Sequence, residues 1–284
     1  MDLVLGTAQL GLKNYGINNQ ENLSNQKVQT ILRFAKTKNI KFLDTSDLYG
    51  DALDNIQGIA DDFFKLILKL NFKSILKNEE KIKYVEQMTK NNSYDSILFH
   101  NHNELIADPN LWNSLLKRKK EFKINKIGVS LYNFSELKKL NESNIFPDSI
   151  EIPYNIIDDE FNPYLKKIKE NGTEIIVRSV FMQGLLFMDP QNVPEKLKDY
   201  QEVLQQLVKL TQKHKVSLNK LMLDYVKKNS YIDKLIIGID SIKQLEENIV
   251  VFKSEINESL LKDFDQLEIK LNKKLKKVNN WKNL

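Results

Sequence analysis

Cysteine does not occur in the chain. Its absence excludes disulfides, thiolate metal sites and cysteine nucleophiles, and it fits a reducing compartment, the cytoplasm. Glycine and proline are scarce, 9 and 6 among 284 residues, which reads as a bias towards Lys, Asn and Ile rather than a functional signal. No apolar stretch approaches the ~20 residues that cross a bilayer. Residues 1–6 have neither the basic start nor the long apolar run of a signal peptide, so a soluble protein with no membrane partner is expected. Low-complexity linkers and internal repeats are missing too, and residues 1–284 read as a single domain.

What is present is enough for a large core, since 41% of the residues are hydrophobic and α/β barrels of roughly 250 residues fold as one unit. The formal net charge is +5, from 43 Lys+Arg against 38 Asp+Glu. Much of the excess lies in residues 270–277, within a carboxyl-terminal helix expected over about 258–277. No aromatic interleaving or nucleic-acid motif accompanies that run. It reads as a solvated helix face, and no nucleic-acid partner is expected.

Short apolar runs alternate with segments of helical period to the end of the chain. Strands are expected at 3–5, 40–44, 65–70, 95–99, 124–129, 149–152, 174–177 and 234–237. Between them, Ser24 can cap a helix whose Val28, Ile31, Leu32 and Ala35 share one face. Helices also read at 55–63 and 81–88. Asp108 and Pro109 open another, with a capping carboxylate and a first-turn proline. Asn133 and Glu136 have capping-box spacing, and Asn162-Pro163 starts the helix before the seventh strand. Two more helices, 195–214 and 218–228, precede the eighth. Alternating β and α predicts a parallel sheet with crossover helices. Eight such units favour a closed (β/α)8 TIM barrel over an open doubly wound sheet, which would carry a G-x-G-x-x-G turn after its first strand. None is present.

In such barrels the reactive groups gather at the carboxyl ends of the strands. That rule selects Asp44 and Tyr49 at the second strand, Lys69 at the third and His100 at the fourth. A free phenol has a pKa near 10, and a buried ammonium beside it favours the phenolate, which predicts a Tyr49 acidified by Lys69. Asp44 can keep that ammonium charged, and a neutral imidazole can orient a substrate oxygen. His102 and His214 read as surface residues.

At these residues the sequence resembles the aldo-keto reductase family, from Leu5-Gly6-Thr7-Ala8 through Asn248. The family's catalytic Asp, Tyr, Lys and His fall on Asp44 and Tyr49 in FLDTSDLYG, Lys69 in LILKL and His100 in YDSILFHNH. Lys65 and Lys73 are alternatives to Lys69, because the Tyr49–Lys69 segment is short for the family. Gly128-Val129-Ser130 resembles the strand end whose serine holds the nicotinamide carboxamide, and Pro153-Tyr154-Asn155 the following strand's motif. Arg178-Ser179 through Gln183-Gly184-Leu185-Leu186 is similar to the seventh-strand loop along the cofactor. The run GIDSIKQLEEN, Gly238 to Asn248, is similar to the segment at the adenosine end, with Glu247 and Asn248 at the adenine.

The resemblance implies an NAD(P)H-dependent reductase of small-molecule aldehydes or ketones, sugar-derived carbonyls among them. It also implies cofactor contacts from Gly6, Thr7, Ser130, Glu151, Arg178, Ser179, Gln183, Gly184, Leu186, Gly238, Gln244, Glu247 and Asn248. Several positions depart from it. Leu131 stands where many members have asparagine, Glu151 where glutamine is usual, and Arg178 where a tyrosine commonly stacks on the nicotinamide. Gly238 and Gln244 replace residues that grip a 2′-phosphate, with Lys243 a partial substitute. NADPH is the family default and NADH the alternative. Substrate selection would fall to loops at 101–108 and 187–194 and to the carboxyl tail, the first being polar. Two other readings are open. One is a metal-dependent hydrolase or isomerase using Asp44, His100, His102 and Glu151. The other is a nicotinamide-binding regulatory protein with little turnover.

Overall fold

Successive side chains of a strand point to opposite faces. Here both faces are buried on nearly every strand, so each strand needs cover on two sides. The computed structural model describes every residue except Asn14, 18–22, 58–62, 73, 74, 76, 91–93 and 284. Its elements run β1 (Asp2–Gly6), α1 (Ala8–Gly11), α2 (Asn25–Thr37), β2 (Phe42–Ser46), α3 (Ala52–Gln57), β3 (Lys65–Leu70), α4 (Asn78–Thr89) and β4 (Tyr94–Phe99). The chain continues through α5 (His102–Ala107), α6 (Pro109–Arg118), β5 (Ile124–Ser130), α7 (Phe134–Glu142), β6 (Ser149–Pro153), α8 (Leu165–Glu170) and β7 (Glu174–Arg178). It ends with α9 (Tyr200–Lys213), α10 (Leu218–Lys227), β8 (Lys234–Gly238), α11 (Ile242–Lys253), α12 (Glu258–Phe264) and α13 (Lys273–Lys276). The eight strands pair in parallel in chain order, and β8 closes on β1. This is the (β/α)8 barrel that the alternation predicts.

The barrel's interior is layered along the strands. Val4, Ile67, Leu98, Ile176 and Ile236 form a small apolar core of their own, with Phe42 against it, while the larger core lies between sheet and helices. Period two places Asp44 and Ser46 on the face of Phe42, Lys69 on that of Ile67, and Arg178 on that of Ile176. The polar site thus stands directly above the apolar plug. Below the plug, Lys234 bonds Asp95 Oδ2 at 2.7 Å and Glu174 Oε1 at 2.6 Å. A register shift against β3 leaves Asp95 without a partner on that strand, the kind of bulge that re-aims a side chain.

Some elements differ from expectation. β2 runs to Ser46, two residues past Asp44. The helix expected at 55–63 begins at Ala52, and its far part lies outside the described residues. The helix expected at 195–214 starts as a short 3-10 turn (Glu195–Leu197) before α9. Asp108 precedes α6 without a side-chain cap bond. The polar stretch 101–108 is α5, capped by Asn101 and burying His102 and Leu105. The single helix expected over 258–277 is α12 and α13 joined by an extended segment. Among the described residues no helix is long and apolar enough to cross a membrane.

Candidate active site

Asp44, Lys69 and Glu151 come from β2, β3 and β6 and meet inside the barrel, all buried. Lys69 Nζ donates to Asp44 Oδ1 and, at 2.9 Å, to Glu151 Oε2. Glu151 Oε1 accepts from Ser130 Oγ at 3.0 Å and forms an ion pair with Arg178 Nε at 2.9 Å. Tyr49 follows β2, and Lys69 Nζ lies 5.3 Å from the centre of its ring. The His100 ring meets Tyr49 edge-on at 6.5 Å between centres. Ser46 Oγ lies 3.2 Å from His100 Nδ1, which leaves Nε2 as the ring nitrogen free for a ligand.

Two glycines hold the loop that carries Tyr49. A Cβ on Gly11 would lie 2.0 Å from Tyr49 O and 2.4 Å from Ala52 N, and Gly50, at φ +52, would meet Gly11 O at 2.3 Å. Asp47 pins the same loop from outside, accepting from Asn71 N at 2.9 Å and Tyr84 OH at 3.1 Å.

Electrostatics correct one expectation. Burial pulls Lys69 down, but Asp44, Glu151 and Tyr49 outweigh it and keep the ammonium firmly charged. Burial also raises Asp44, against Lys69, while Glu151 is held low because Lys69, Arg178 and Ser130 overcome its burial. Tyr49 is not acidified. Burial pushes its phenol up, Lys69 pulls it down, and Asp44, Glu151 and Tyr15 push it up again, so the net direction is upward. His100 is lowered by burial and Lys69, and is neutral near pH 7.

The aldo/keto reductase family model matches residues 2–269. The chain belongs to the aldo/keto reductase family. Among curated proteins none matches its sequence. Its fold is similar to that of the aldo-keto reductase AKR11C1 from Bacillus halodurans, with 19% identity, a TM-score of 0.71, and coverage of 97% of this chain and 95% of that one. The glycerol dehydrogenase AKR11B4 from Gluconobacter oxydans is similar at 17% identity and a TM-score of 0.69, covering 93% and 90%. At such identities these likenesses speak for the fold alone. Family membership makes the protein an oxidoreductase of small carbonyl compounds, in a family that generally uses nicotinamide cofactors.

Within this aldo/keto reductase, the expected cofactor residues divide into four groups. Ser130, Glu151, Arg178 and Ser179 form one bonded wall with the catalytic candidates, since Arg178 also donates to Ser179 Oγ and Leu131 O at 3.2 Å. Gly6 pairs in register with both Asp44 and Gly238. Thr7 donates its amide and hydroxyl to Asp44 O at 2.9 and 3.0 Å. In the β7 loop, Gln183 and Gly184 take left-handed φ of 53° and 91°, whereas Leu186 is buried in the core. Around α11, Gln244 and Glu247 are exposed. Asn248 instead accepts from Asn219 Nδ2 at 3.2 Å.

Lys65 is exposed at the opening of β3, away from this cluster, and Lys73 lies outside the described residues. The expected surface histidines are mostly enclosed. His102 lies 3.8 Å from Glu136, and His214 Nε2 lies 2.8 Å from Asp263. His102 therefore does not join Asp44, His100 and Glu151, and both carboxylates already hold Lys69, so the metal reading loses its ligand set.

Three site residues went unnoticed in the sequence. Ser46 was legible by alternation from Asp44. Tyr15 faces Lys69, Asp44 and Arg178 and bonds Gln183, but it sits in an irregular loop with no pattern to expose it. Tyr132 lies under Arg178, its ring centre 4.4 Å from the guanidinium carbon. The carboxyl tail closes the same side, where Lys277 Nζ bonds Asp158 and Glu160 at 2.9 Å and Tyr132 O at 3.1 Å.

Proposed function

We propose that the protein reduces an aldehyde or ketone with a reduced nicotinamide dinucleotide, NADPH by family default and NADH as the alternative, and that Tyr49 is the proton donor. The observation that carries this reading is the Lys69 ammonium 5.3 Å from the centre of the Tyr49 ring, with His100 on the ring's edge. These groups have no shared structural task that a hydrophobic trio would not perform more cheaply in free energy.

The wall beside them suits a nicotinamide carboxamide. A carboxylate offers about four lone-pair sites, and Glu151 accepts two hydrogen bonds, from Lys69 and Ser130, leaving room for the amide hydrogens. Arg178 is the donor proposed for the carboxamide oxygen, because the one hydroxyl proton of Ser130 already goes to Glu151. Gly6, Ser179, Gln183, Gly184, Leu186, Gly238, Gln244, Glu247 and Asn248 are proposed to hold the remainder, as the resemblance implies. The bound cofactor would supply a hydride to the carbonyl carbon.

The chain's own residues do the rest. Nε2 of neutral His100 fixes the carbonyl oxygen near the Tyr49 hydroxyl, and Tyr49 gives that oxygen its proton as negative charge develops there. Lys69, anchored by Asp44, stabilises the phenolate left behind, and either solvent or a later step restores the proton. The substrate is proposed to be a small carbonyl compound, sugar-derived ones included. Exposed Leu48 and Phe187, at 48% and 46%, add apolar surface to the loops after β2 and β7. A cytoplasmic location is proposed by family habit.

Steady-state consumption of NADPH and NADH across a panel of aldehydes, ketones and keto-sugars tests the reading. Turnover on at least one carbonyl class is expected. Tight nucleotide binding with no turnover on any would favour the regulatory alternative.

A further inference from the structure

Glu151 is a fully buried acid, at 0% exposure, and it touches both cations of the site. Its Oε2 takes a bond from Lys69 at 2.9 Å, and its Oε1 takes a bond from Ser130 at 3.0 Å and forms an ion pair with Arg178 at 2.9 Å. Arg178 is equally committed, through Ser179 Oγ, Leu131 O and the Tyr132 ring. As a mere anchor for Lys69, Glu151 is redundant, because Asp44 already pairs with that ammonium. What it adds is a second negative charge facing the phenol.

We propose that Glu151 is a positioning residue that draws Lys69 and Arg178 into one charge-balanced network and so commits Tyr49 to giving a proton rather than taking one. The proposal rests on Tyr49 being the proton donor. Two cations face two carboxylates across a buried space, where a single unit charge a few ångströms away weighs far more than in water. Lys69 from β3 favours the phenolate, and Arg178 from β7 feels the phenolate's charge in return. Asp44 from β2, Glu151 from β6 and Tyr15 from the loop after α1 oppose the phenolate. His100, from the end of β4, is neutral. Removing the charge of Glu151 would leave a net cation beside the phenol. A protonated phenol serves carbonyl reduction, whereas alcohol oxidation needs the phenolate as base. Glu151 therefore sets the pH at which the phenol gives up its proton, and keeps it protonated near neutral pH.

The test is a spectrophotometric tyrosinate titration of the nucleotide-free protein, read as the difference from its Tyr49→Phe counterpart. It is run in the parent and in a Glu151→Gln background, whose amide keeps the shape and one acceptor. In the parent, Tyr49 should titrate above the ordinary value near 10. In Glu151→Gln its midpoint should fall by about one pH unit or more, a tenfold larger phenolate share, and the alkaline limb of the reduction pH–rate profile should move down by a similar interval. A parent midpoint at or below the ordinary value, or an unmoved midpoint in Glu151→Gln, overturns the proposal. Should Glu151→Gln fail to fold, the smaller neutral variant Glu151→Ser takes its place, with the same fall in midpoint expected and an unmoved midpoint again overturning the proposal. Undiminished turnover of Tyr49→Phe would instead overturn the catalytic reading and leave the titration result standing.

Discussion

At the scale of single residues, the site depends on how few charges are left free. Lys69 is held by two carboxylates, Arg178 by one carboxylate and two oxygens, and His100 by Ser46. Among the described residues of this cluster, Tyr49 and one imidazole nitrogen remain to meet the carbonyl oxygen. The imidazole's protonation has a definite sign. Burial and Lys69 hold His100 below the usual 6.5, with Arg178 adding to them against Glu151 and Asp47. A base so depressed stays neutral until the pH falls past that lowered value. The acid limb of kcat/KM that belongs to His100 should therefore lie below pH 6.5 and vanish in His100→Gln, as a pH–rate profile of both proteins would show. A limb above 6.5 that disappears with the histidine would contradict this account.

The four catalytic candidates were legible because strand ends can be located from short apolar runs, and charge within such runs is conspicuous. The phenol's upward direction was not legible. It comes first from burial and then from Asp44 and Glu151, the latter 82 positions from Lys69 along the chain yet bonded to the same ammonium.

At the scale of elements, the loop after β2 is as constrained as the strands. Gly11 and Gly50 let backbone meet backbone beneath Tyr49. Gly11→Ala forces that loop outward, and an overpacked contact of this kind costs about 1–3 kcal/mol. Urea unfolding should register that loss, and turnover should fall together with it, while nucleotide affinity changes less.

The sequence located every strand to within two residues, and it misjudged the tail for an identifiable reason. Leu267, Ile269 and Leu271 recur every second residue and pack against the core, which is the period of extended chain rather than of a helix. The basic residues around them masked that alternation. Likewise, the polar letters of α5 concealed an i, i+3 buried pair, His102 and Leu105.

At the scale of the whole molecule, one barrel interior carries two polar clusters separated by an apolar plug. The upper one is reactive, and the lower one, built on Lys234, Asp95, Glu174 and Lys126, is closed on itself. Lys234 is 2% exposed and also caps the Phe42 ring at 4.5 Å. Lys234→Ala would leave Asp95 and Glu174 to Lys126 alone, at 3.8 and 2.8 Å, and breaking a buried pair in this way costs up to about 3–5 kcal/mol. Thermal unfolding should report a much lower midpoint, yet kcat of the folded protein at low temperature should stay near the parent value. A large loss of kcat without loss of stability would mean that the two ends of the barrel are coupled in a way this architecture does not explain. The separation also fits the rule that stability resides at the strand starts and chemistry at their ends.

The central claim is that one phenol delivers the proton to a carbonyl oxygen while hydride reaches its carbon. Single-turnover absorbance of prebound reduced nucleotide, mixed with a carbonyl substrate and compared between the parent and Tyr49→Phe, tests it most directly. The account predicts unchanged nucleotide affinity and a transfer rate lower by about 100-fold or more. An equal transfer rate in the two proteins would contradict it.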